Sequence, residues 1–269
     1  MKWFLIAGGL MWSLSAQANA QGLFWSLPQD GTSIRYEGTL TQVVKQADAP
    51  QDLTIEFRRI VTIKSVGTEN AEYQGQDQPC RWLEIKSETG KAAEAVLEEG
   101  PGGLRIYKLL VPEVVVQGQV NETAADGRKI HIAFLPIAKG FRKIGDEAAV
   151  PIESGVFEIY PLISLLRYYP ELTSAEAARN LQVPAGNFES TLYQGTMVAE
   201  SASRRSTNSG EVERSDKVPF GVVKWNVRIV VETKATTDAR ADFKELLTVT
   251  EELEAVAVGE AAESELTEK

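Results

Sequence analysis

The stretch VKWNVRIVV, residues 223–231, decides the fold class of this chain. Apolar and polar side chains alternate along it, with Val223, Trp225, Val227, Ile229 and Val231 in one phase and Lys224, Asn226 and Arg228 in the other. This period of two predicts a β-strand with one face on a core and the other in water. At about 3.3 Å per residue the strand is roughly 30 Å long, a length that suits curved sheets and barrels.

The same period recurs along the chain. Clear strand patterns lie at residues 34–40, 53–63 and 130–134, and weaker ones at 81–87, 93–99, 104–111, 113–120, 189–199 and 241–250. Arg59 interrupts the apolar phase of residues 53–63, which predicts a β-bulge near Arg59 and Ile60. The whole pattern predicts a mainly β fold, a curved antiparallel sheet or half-open barrel of nine or ten strands.

Helix signals are confined to the middle of the chain. Residues 161–169 have Pro161 in a first-turn position followed by apolar residues at helical spacing. Residues 173–181 open with Thr173 and Glu176 in the spacing of a capping box. We therefore expect two short helices. The small, polar residues 201–210 predict a mobile hairpin loop.

The first 20 residues have the pattern of a secretory signal peptide. Lys2 precedes an apolar run that is too short to span a membrane, and Ala18 and Ala20 provide a small-x-small cleavage site. No cysteine lies directly after the run, so lipid attachment of the lipoprotein type is not expected. We expect a soluble exported protein, periplasmic or extracellular, with no integral membrane span in the mature chain.

The mature chain is expected to form one β-rich domain over residues 21–258. Phe24 and Trp25, followed by a turn at residues 28–31, are expected to fold back and plug one end of the sheet; a free hydrophobic arm is the alternative. The Glu-rich tail, residues 259–269, is predicted to be disordered.

Composition excludes several chemistries. The net charge of -10 argues against nucleic acid, whose phosphates require clustered cations. With one histidine, His131, and one cysteine, Cys80, a typical zinc site is excluded, and no phosphate-binding glycine loop is present. We expect no metal and no cofactor. Cys80 lies in a strand pattern and is expected to be a small apolar strand residue.

Catalysis has few candidate groups. A Ser-His or Cys-His site would have to use His131, which sits mid-strand and is expected to be an exposed or rim histidine. The 38 aspartates and glutamates leave open a hydrolase that uses two carboxylates, such as a glycosidase.

Four aromatic residues lie in strand-like runs and are the candidate ligand-binding residues: Tyr36, Trp82, Tyr107 and Trp225. In a curved sheet they would line one concave face and bind a lipid or another hydrophobic ligand. Core packing is the alternative for each.

Three parts of the chain resemble exported bacterial proteins of uncharacterised function: residues 23–31 with 35–38, residues 107–113 and residues 218–224. The export signal, the many long antiparallel strands and the short helices are also similar in architecture to the periplasmic lipoprotein-carrier fold. That likeness implies a half-open barrel that holds acyl chains against an apolar concave face.

We therefore expect a non-catalytic envelope protein that binds a lipid, a lipoprotein or an envelope protein on a concave β face. A carboxylate hydrolase and a structural or assembly module are the alternatives. The acidic tail and the predicted helices argue against an outer-membrane barrel.

Overall fold

A computed structural model describes residues 24–46, 50–91, 97, 102–116, 121–123, 129–131, 135–153, 155–157, 172–175 and 177–266. These ranges contain the following strands: β1 (Ser33–Val44), β2 (Leu53–Tyr73), β3 (Gln76–Lys91), β4 (Arg105–Pro112), β5 (Asn121–Thr123), β6 (Lys129–His131), β7 (Leu135–Pro136), β8 (Lys139–Ile144), β9 (Val150–Pro151), β10 (Val156–Phe157), β11 (Leu172–Ser174), β12 (Arg179–Val183), β13 (Gly186–Glu200), β14 (Arg204–Arg214), β15 (Val222–Thr233) and β16 (Lys244–Gly259). The helical segments in the same ranges are short 3₁₀ turns at Glu113–Val115, Pro219–Gly221 and Arg240–Asp242.

Twelve of these strands form one open antiparallel sheet. Its spatial order is β11-β13-β14-β15-β16-β1-β2-β3-β4-β8-β9, and β12 also pairs with β13. Strands β1 and β16 pair from Ser33↔Gly259 to Val44↔Leu247, so the first and last long strands are neighbours. The mainly β, antiparallel prediction is confirmed, although the sheet has more strands than the nine or ten expected.

Strand β15 has the two faces that its sequence predicts. Trp225 and Val227 are buried, whereas Asn226 and Arg228 are exposed. The buried side, which we call the core face, belongs to a hydrophobic cluster with contributions from the long strands. The opposite side, which we call the outer face, carries polar and charged residues over most of the sheet.

Phe24 and Trp25 pack into the main core, as the sequence predicts. Phe24 is fully buried, and its ring meets that of Phe220 edge-on at a centroid distance of 5.7 Å. The Trp25 backbone N–H donates to the Phe220 carbonyl at 2.9 Å. The aromatic pair is therefore a plug and not a free arm.

The predicted bulge at Arg59 and Ile60 is wrong. Strand β2 keeps an unbroken register with β1 there, with Arg59 opposite Gly38. The irregularity of β2 lies between Ser65 and Thr68, in its pairing with β3. Arg59 thus stays in the apolar phase and points its charged side chain to the core face.

The predicted helix at residues 173–181 is also wrong. Leu172–Ser174 pairs with β13, and Arg179–Val183 pairs with the start of the same strand across a tight turn. Leu181 packs against the main core from this hairpin. Pairing with β13 therefore overrides the capping-box signal. The other predicted helix, residues 161–169, and the signal peptide, residues 1–20, lie outside the described residues.

Residues 201–210 were expected to be a loop, but most of them belong to β14. Arg204–Arg214 is paired on one side with β13 and on the other with β15. The two ladders satisfy the backbone of a segment whose side chains show no strand pattern. In the predicted strand 113–120, Glu113–Val115 is a 3₁₀ turn, and the remainder is largely undescribed.

Two further observations concern the membrane and the tail. Within the described ranges, no helix has the length and apolar character needed to cross a membrane. Residues 260–266, which the composition predicts to be disordered, make defined contacts with the outer face of β2, β3 and β4.

Candidate functional site

Two of the four candidate aromatic residues are together in the core. Tyr36 and Trp225 are fully buried, with ring centroids 4.7 Å apart. The Tyr36 hydroxyl donates to the Val222 carbonyl at 2.9 Å, and the Trp225 indole N–H donates to Glu251 at 2.9 Å. Both polar ends are thus satisfied within the protein, as buried tyrosine and tryptophan require.

The other two lie elsewhere. Tyr107 belongs to the same core, where its ring contacts Phe157 at 4.9 Å. Trp82 belongs to a smaller cluster with Cys80 on the outer face, and its indole N–H donates to Glu69 at 2.9 Å. The four aromatic residues therefore do not line one common face.

A buried ion pair lies close to Trp225. Nε of Arg59 is 3.2 Å from Oε2 of Glu251, and both side chains are almost inaccessible to water. Burial raises the pKa of the Glu251 carboxyl, while Arg59 and the Trp225 N–H act in the opposite direction. The pair has no open approach in the described structure, so we assign it a structural role.

The outer face carries a polar depression of about 660 Å³ across β11, β13, β14, β15 and β16. Its lining comprises hydroxyl, amide and charged side chains with two glycines: Thr173, Gln194, Gly195, Thr196, Ser209, Gly210, Glu211, Asn226, Arg228 and Thr250. Cross-strand pairing aligns Ser209, Arg228 and Thr250 in one row over three adjacent strands.

Arg228 is the single cation in the described lining of this depression, and Glu211 is the single carboxylate. The neighbouring carboxylate, Glu211, accepts a hydrogen bond of 2.5 Å from the Gln194 amide. Lys224, two outer-face positions away on β15, is paired with Glu252 at 2.9 Å. No ion pair among the described residues includes Arg228. The exposed guanidinium can therefore bind an anion, with the surrounding hydroxyls and amides as hydrogen-bond partners.

A smaller depression of about 230 Å³ lies near the aromatic plug, with Glu189 and Tyr193 in its lining. Arg214 lies over the Trp25 ring at 5.0 Å and pairs with Asp216 at 2.8 Å. Its guanidinium is thus already engaged by the protein, which makes this depression the weaker candidate.

The capacity to bind a metal ion, Cys80 and His131 can each be described in part. The described residues contain no group of three or more histidine, cysteine, aspartate or glutamate side chains that could hold a metal ion. Cys80 is a free, buried thiol, and burial raises its pKa. The backbone of His131 lies in β6, paired with β5; its side chain is outside the described structure.

The sequence did not identify the polar depression. Ser209 fell in the predicted loop and Thr173 in the predicted helix, so their strands could not be aligned with β15. One signal was available, namely Asn226 and Arg228 in the polar phase of residues 223–231. No protein-family model and no curated protein matches this chain.

Proposed function

We propose that this chain is a non-catalytic envelope protein, exported after removal of residues 1–20, that binds a protein partner at the polar depression of its outer face. The observation that carries the proposal is the exposed Arg228, which has no described ion-pair partner and is surrounded by hydroxyl and amide groups. An acidic side chain of the partner pairs with Arg228, and its backbone hydrogen-bonds to groups such as Ser209 and Asn226.

The edge of the sheet beside the depression supports a protein partner. Strand β11 pairs with β13 only over residues 193–195, and no described strand pairs with residues 196–200 on that side. An extended segment can add to such an edge through backbone hydrogen bonds. The added segment would lie three strand spacings, roughly 14 Å, from β15, with Thr196 and Ser209 between it and Arg228 on the same row.

The core aromatic residues give less support to a hydrophobic ligand. Tyr36, Tyr107 and Trp225 are all packed against other side chains of the core cluster. A ligand would have to displace those contacts before it could bind there. The polar depression is open as it stands and needs no such displacement.

The lining of the depression also favours binding over hydrolysis. Glu211 is its single carboxylate among the described residues, and the Gln194 amide holds it. A two-carboxylate glycosidase needs an acid and a second carboxylate on either side of the scissile bond. The depression as described does not supply that pair.

Site-specific photo-crosslinking in the native host tests the proposal. A photoreactive residue replaces Ser209 in the depression, and a matched one replaces the exposed Thr54 on the outer face of β2. We expect an adduct of one defined mass at position 209 only. The substitution Arg228→Glu should abolish it, whereas Arg58→Glu, which changes an outer-face arginine of β2, should not. An adduct that persists in Arg228→Glu, or forms equally from position 54, contradicts the proposal.

A further inference from the structure

A row of charged residues crosses the outer face at the other end of the sheet. Lys64 on β2, Glu84 on β3 and Lys108 on β4 lie directly opposite one another in the strand register. Lys86 is the next outer-face residue along β3. We call these four residues the tail-binding cluster. It concentrates three cations around one carboxylate, in a chain whose net charge is -10.

The cationic surface continues from this cluster to Trp82. The ammonium of Lys108 lies 5.0 Å from the centroid of the Trp82 ring, and that of Lys139 lies 5.6 Å from it. These are cation–π distances, so the indole holds both lysines on the surface. The result is a basic patch with a central carboxylate.

Residues 260–266, which we call the tail segment, lie on this patch. The Glu84 carboxylate accepts the Ser264 hydroxyl at 2.6 Å, the Glu265 backbone N–H at 2.9 Å and the Leu266 backbone N–H at 3.2 Å. Lys64 is 3.0 Å from the same carboxylate. As a result Glu84 is 0% exposed although it lies on the outer face.

The side chains of the tail segment are recognised as well. Glu265 pairs with Lys64 at 2.6 Å and with Lys86 at 3.1 Å. Lys108 donates to the Leu266 carbonyl at 3.4 Å, and Leu266 is 2% exposed. Lys64 also donates to the Glu263 carbonyl at 3.2 Å. The cluster thus contacts four consecutive residues, 263–266, and among their side chains it binds the Ser264 hydroxyl and the Glu265 carboxylate.

The segment is separable from the sheet. Among the described residues it pairs with no strand, and apart from the cluster its backbone contact there is the Ala262 N–H to the Gly31 carbonyl at 2.7 Å. Ala261, where the chain leaves β16, has a φ of 55°, a left-handed conformation that is unfavourable for alanine. When the segment dissociates from the outer face, water can solvate the Glu84 carboxylate. Release therefore leaves no charge both buried and unpaired.

We propose that the tail-binding cluster is a peptide-binding site that the chain's own tail segment occupies, and that it takes the same segment from a second copy of the chain when its own is displaced. The contacts within one chain and between two copies are identical in kind, so exchange costs only the effective concentration of the tethered segment. The strained Ala261 favours the exchange because the connection can relax. This site is distinct from the depression at Arg228, so failure of one proposal leaves the other unaffected.

The experiment uses the full-length chain and a variant in which the tail segment cannot dock, Glu265→Lys with Leu266→Asp. Hydrogen exchange reports whether the amides of residues 265 and 266 are released. A labelled, amidated peptide of residues 259–266 stands in for the second copy's segment, and its binding is measured by fluorescence anisotropy. We expect binding to the variant to be at least about tenfold tighter than to the wild-type chain, whose site is occupied.

Matched substitutions test whether the peptide binds at the tail-binding cluster. Adding Glu84→Gln to the variant should weaken peptide binding by about tenfold or more, because three donors lose their charged acceptor. Adding Glu56→Gln, which neutralises an exposed carboxylate of β2, should not change it. A peptide that carries Glu265→Lys should not bind. In sedimentation, the wild-type chain should form dimers as its concentration rises, and the undocked variant should not.

Three results overturn the proposal. Amides 265 and 266 that remain protected in the variant would show that other contacts hold the segment. Peptide binding that is absent, or indifferent to Glu84→Gln, in a variant with an unchanged circular dichroism spectrum would show that the cluster is not a binding site. A wild-type chain that stays monomeric at every concentration would exclude the exchange between copies.

Discussion

Nε of Arg59 lies 3.2 Å from Oε2 of Glu251 within the core of the sheet. The two residues come from β2 and β16, with β1 between them. The residue of β1 opposite Arg59 is Gly38, which has no side chain to separate the pair. The interior of this sheet therefore contains an ion pair, and the Glu251 carboxylate of that pair also accepts the Trp225 indole N–H.

Removing Arg59 should destabilise the protein strongly. The substitution Arg59→Met leaves Glu251 buried with no cation, and breaking a buried ion pair in this way costs about 3–5 kcal/mol. Urea unfolding should show a lower midpoint at an unchanged slope. The double variant Arg59→Met with Glu251→Leu should recover much of the loss because neither charge remains. A double variant no more stable than Arg59→Met would contradict a dominant role for the unpaired carboxylate.

The cost of Arg59→Met should depend on pH. Burial raises the pKa of the Glu251 carboxyl in the folded chain. Such a group stabilises the folded state fully below its unfolded pKa, about 4.3, and that contribution is lost as the pH rises through the folded pKa. Arg59 acts to lower this pKa, so its removal raises the folded pKa of Glu251. The pH range over which stability is lost then extends to higher pH. We expect the free-energy difference between wild type and Arg59→Met to increase from about pH 5 to about pH 8.

The double variant is the control for this pH dependence. Because it has no carboxyl at position 251, its free energy of unfolding should lack the pH dependence that comes from titration of Glu251. If Arg59→Met is destabilised by the same amount at both pH values, the carboxyl does not titrate as its burial implies.

The class of the fold could be read from the sequence because the strands that carry it alternate strictly. Strand β15 places Trp225 inside and Arg228 outside as its pattern predicts. The positions of Phe24 and Trp25 could also be predicted. Burial of these large apolar side chains against the core face of the adjacent β1 is favourable.

The other features of the fold and of the site depend on residues that are distant in the sequence, and a local pattern does not contain them. Strand β14 is rich in serine, threonine, asparagine and glycine, yet two flanking ladders make it a strand. Arg59 looked like a break in the apolar phase because its partner, Glu251, is almost two hundred residues away. The polar depression was missed for the same reason, since its residues meet only after β13 to β16 are aligned.

Gly38 should tolerate no side chain. A Cβ at this position would lie 1.9 Å from the Glu252 carbonyl oxygen, a backbone atom that cannot move without disturbing the pairing of β1 and β16. We expect Gly38→Ala to cost about 1–3 kcal/mol or more. Thr39→Ala, at the neighbouring outer-face position, should change the free energy of unfolding by no more than about 0.5 kcal/mol. Equal stabilities of the two variants in urea would show that the strands can shift to accept the methyl group.

The aromatic plug should contribute to global stability. Phe24 is 0% exposed, and truncation of a buried phenylalanine to alanine typically costs about 3–5 kcal/mol. Thermal unfolding of Phe24→Ala should show a clearly lower midpoint than that of Leu53→Ala, which truncates an exposed residue. A Phe24→Ala midpoint equal to that of the wild type would mean that the segment before β1 is not part of the cooperative core.

Cys80 provides a probe of the second cluster on the outer face. It is fully buried with Trp82 and Leu110, and burial raises its pKa, so little thiolate is present and reagents have no access. A disulfide reagent should therefore modify Cys80 in the folded protein at a rate limited by opening of the sheet, and should modify the denatured chain at once. Trp82→Ala should accelerate the reaction in the folded state because it removes the largest side chain that covers the thiol, whereas Trp25→Ala, in the main core, should affect it only through global stability. Immediate modification of Cys80 in the wild-type protein would show that this outer-face cluster does not seal the thiol from solvent.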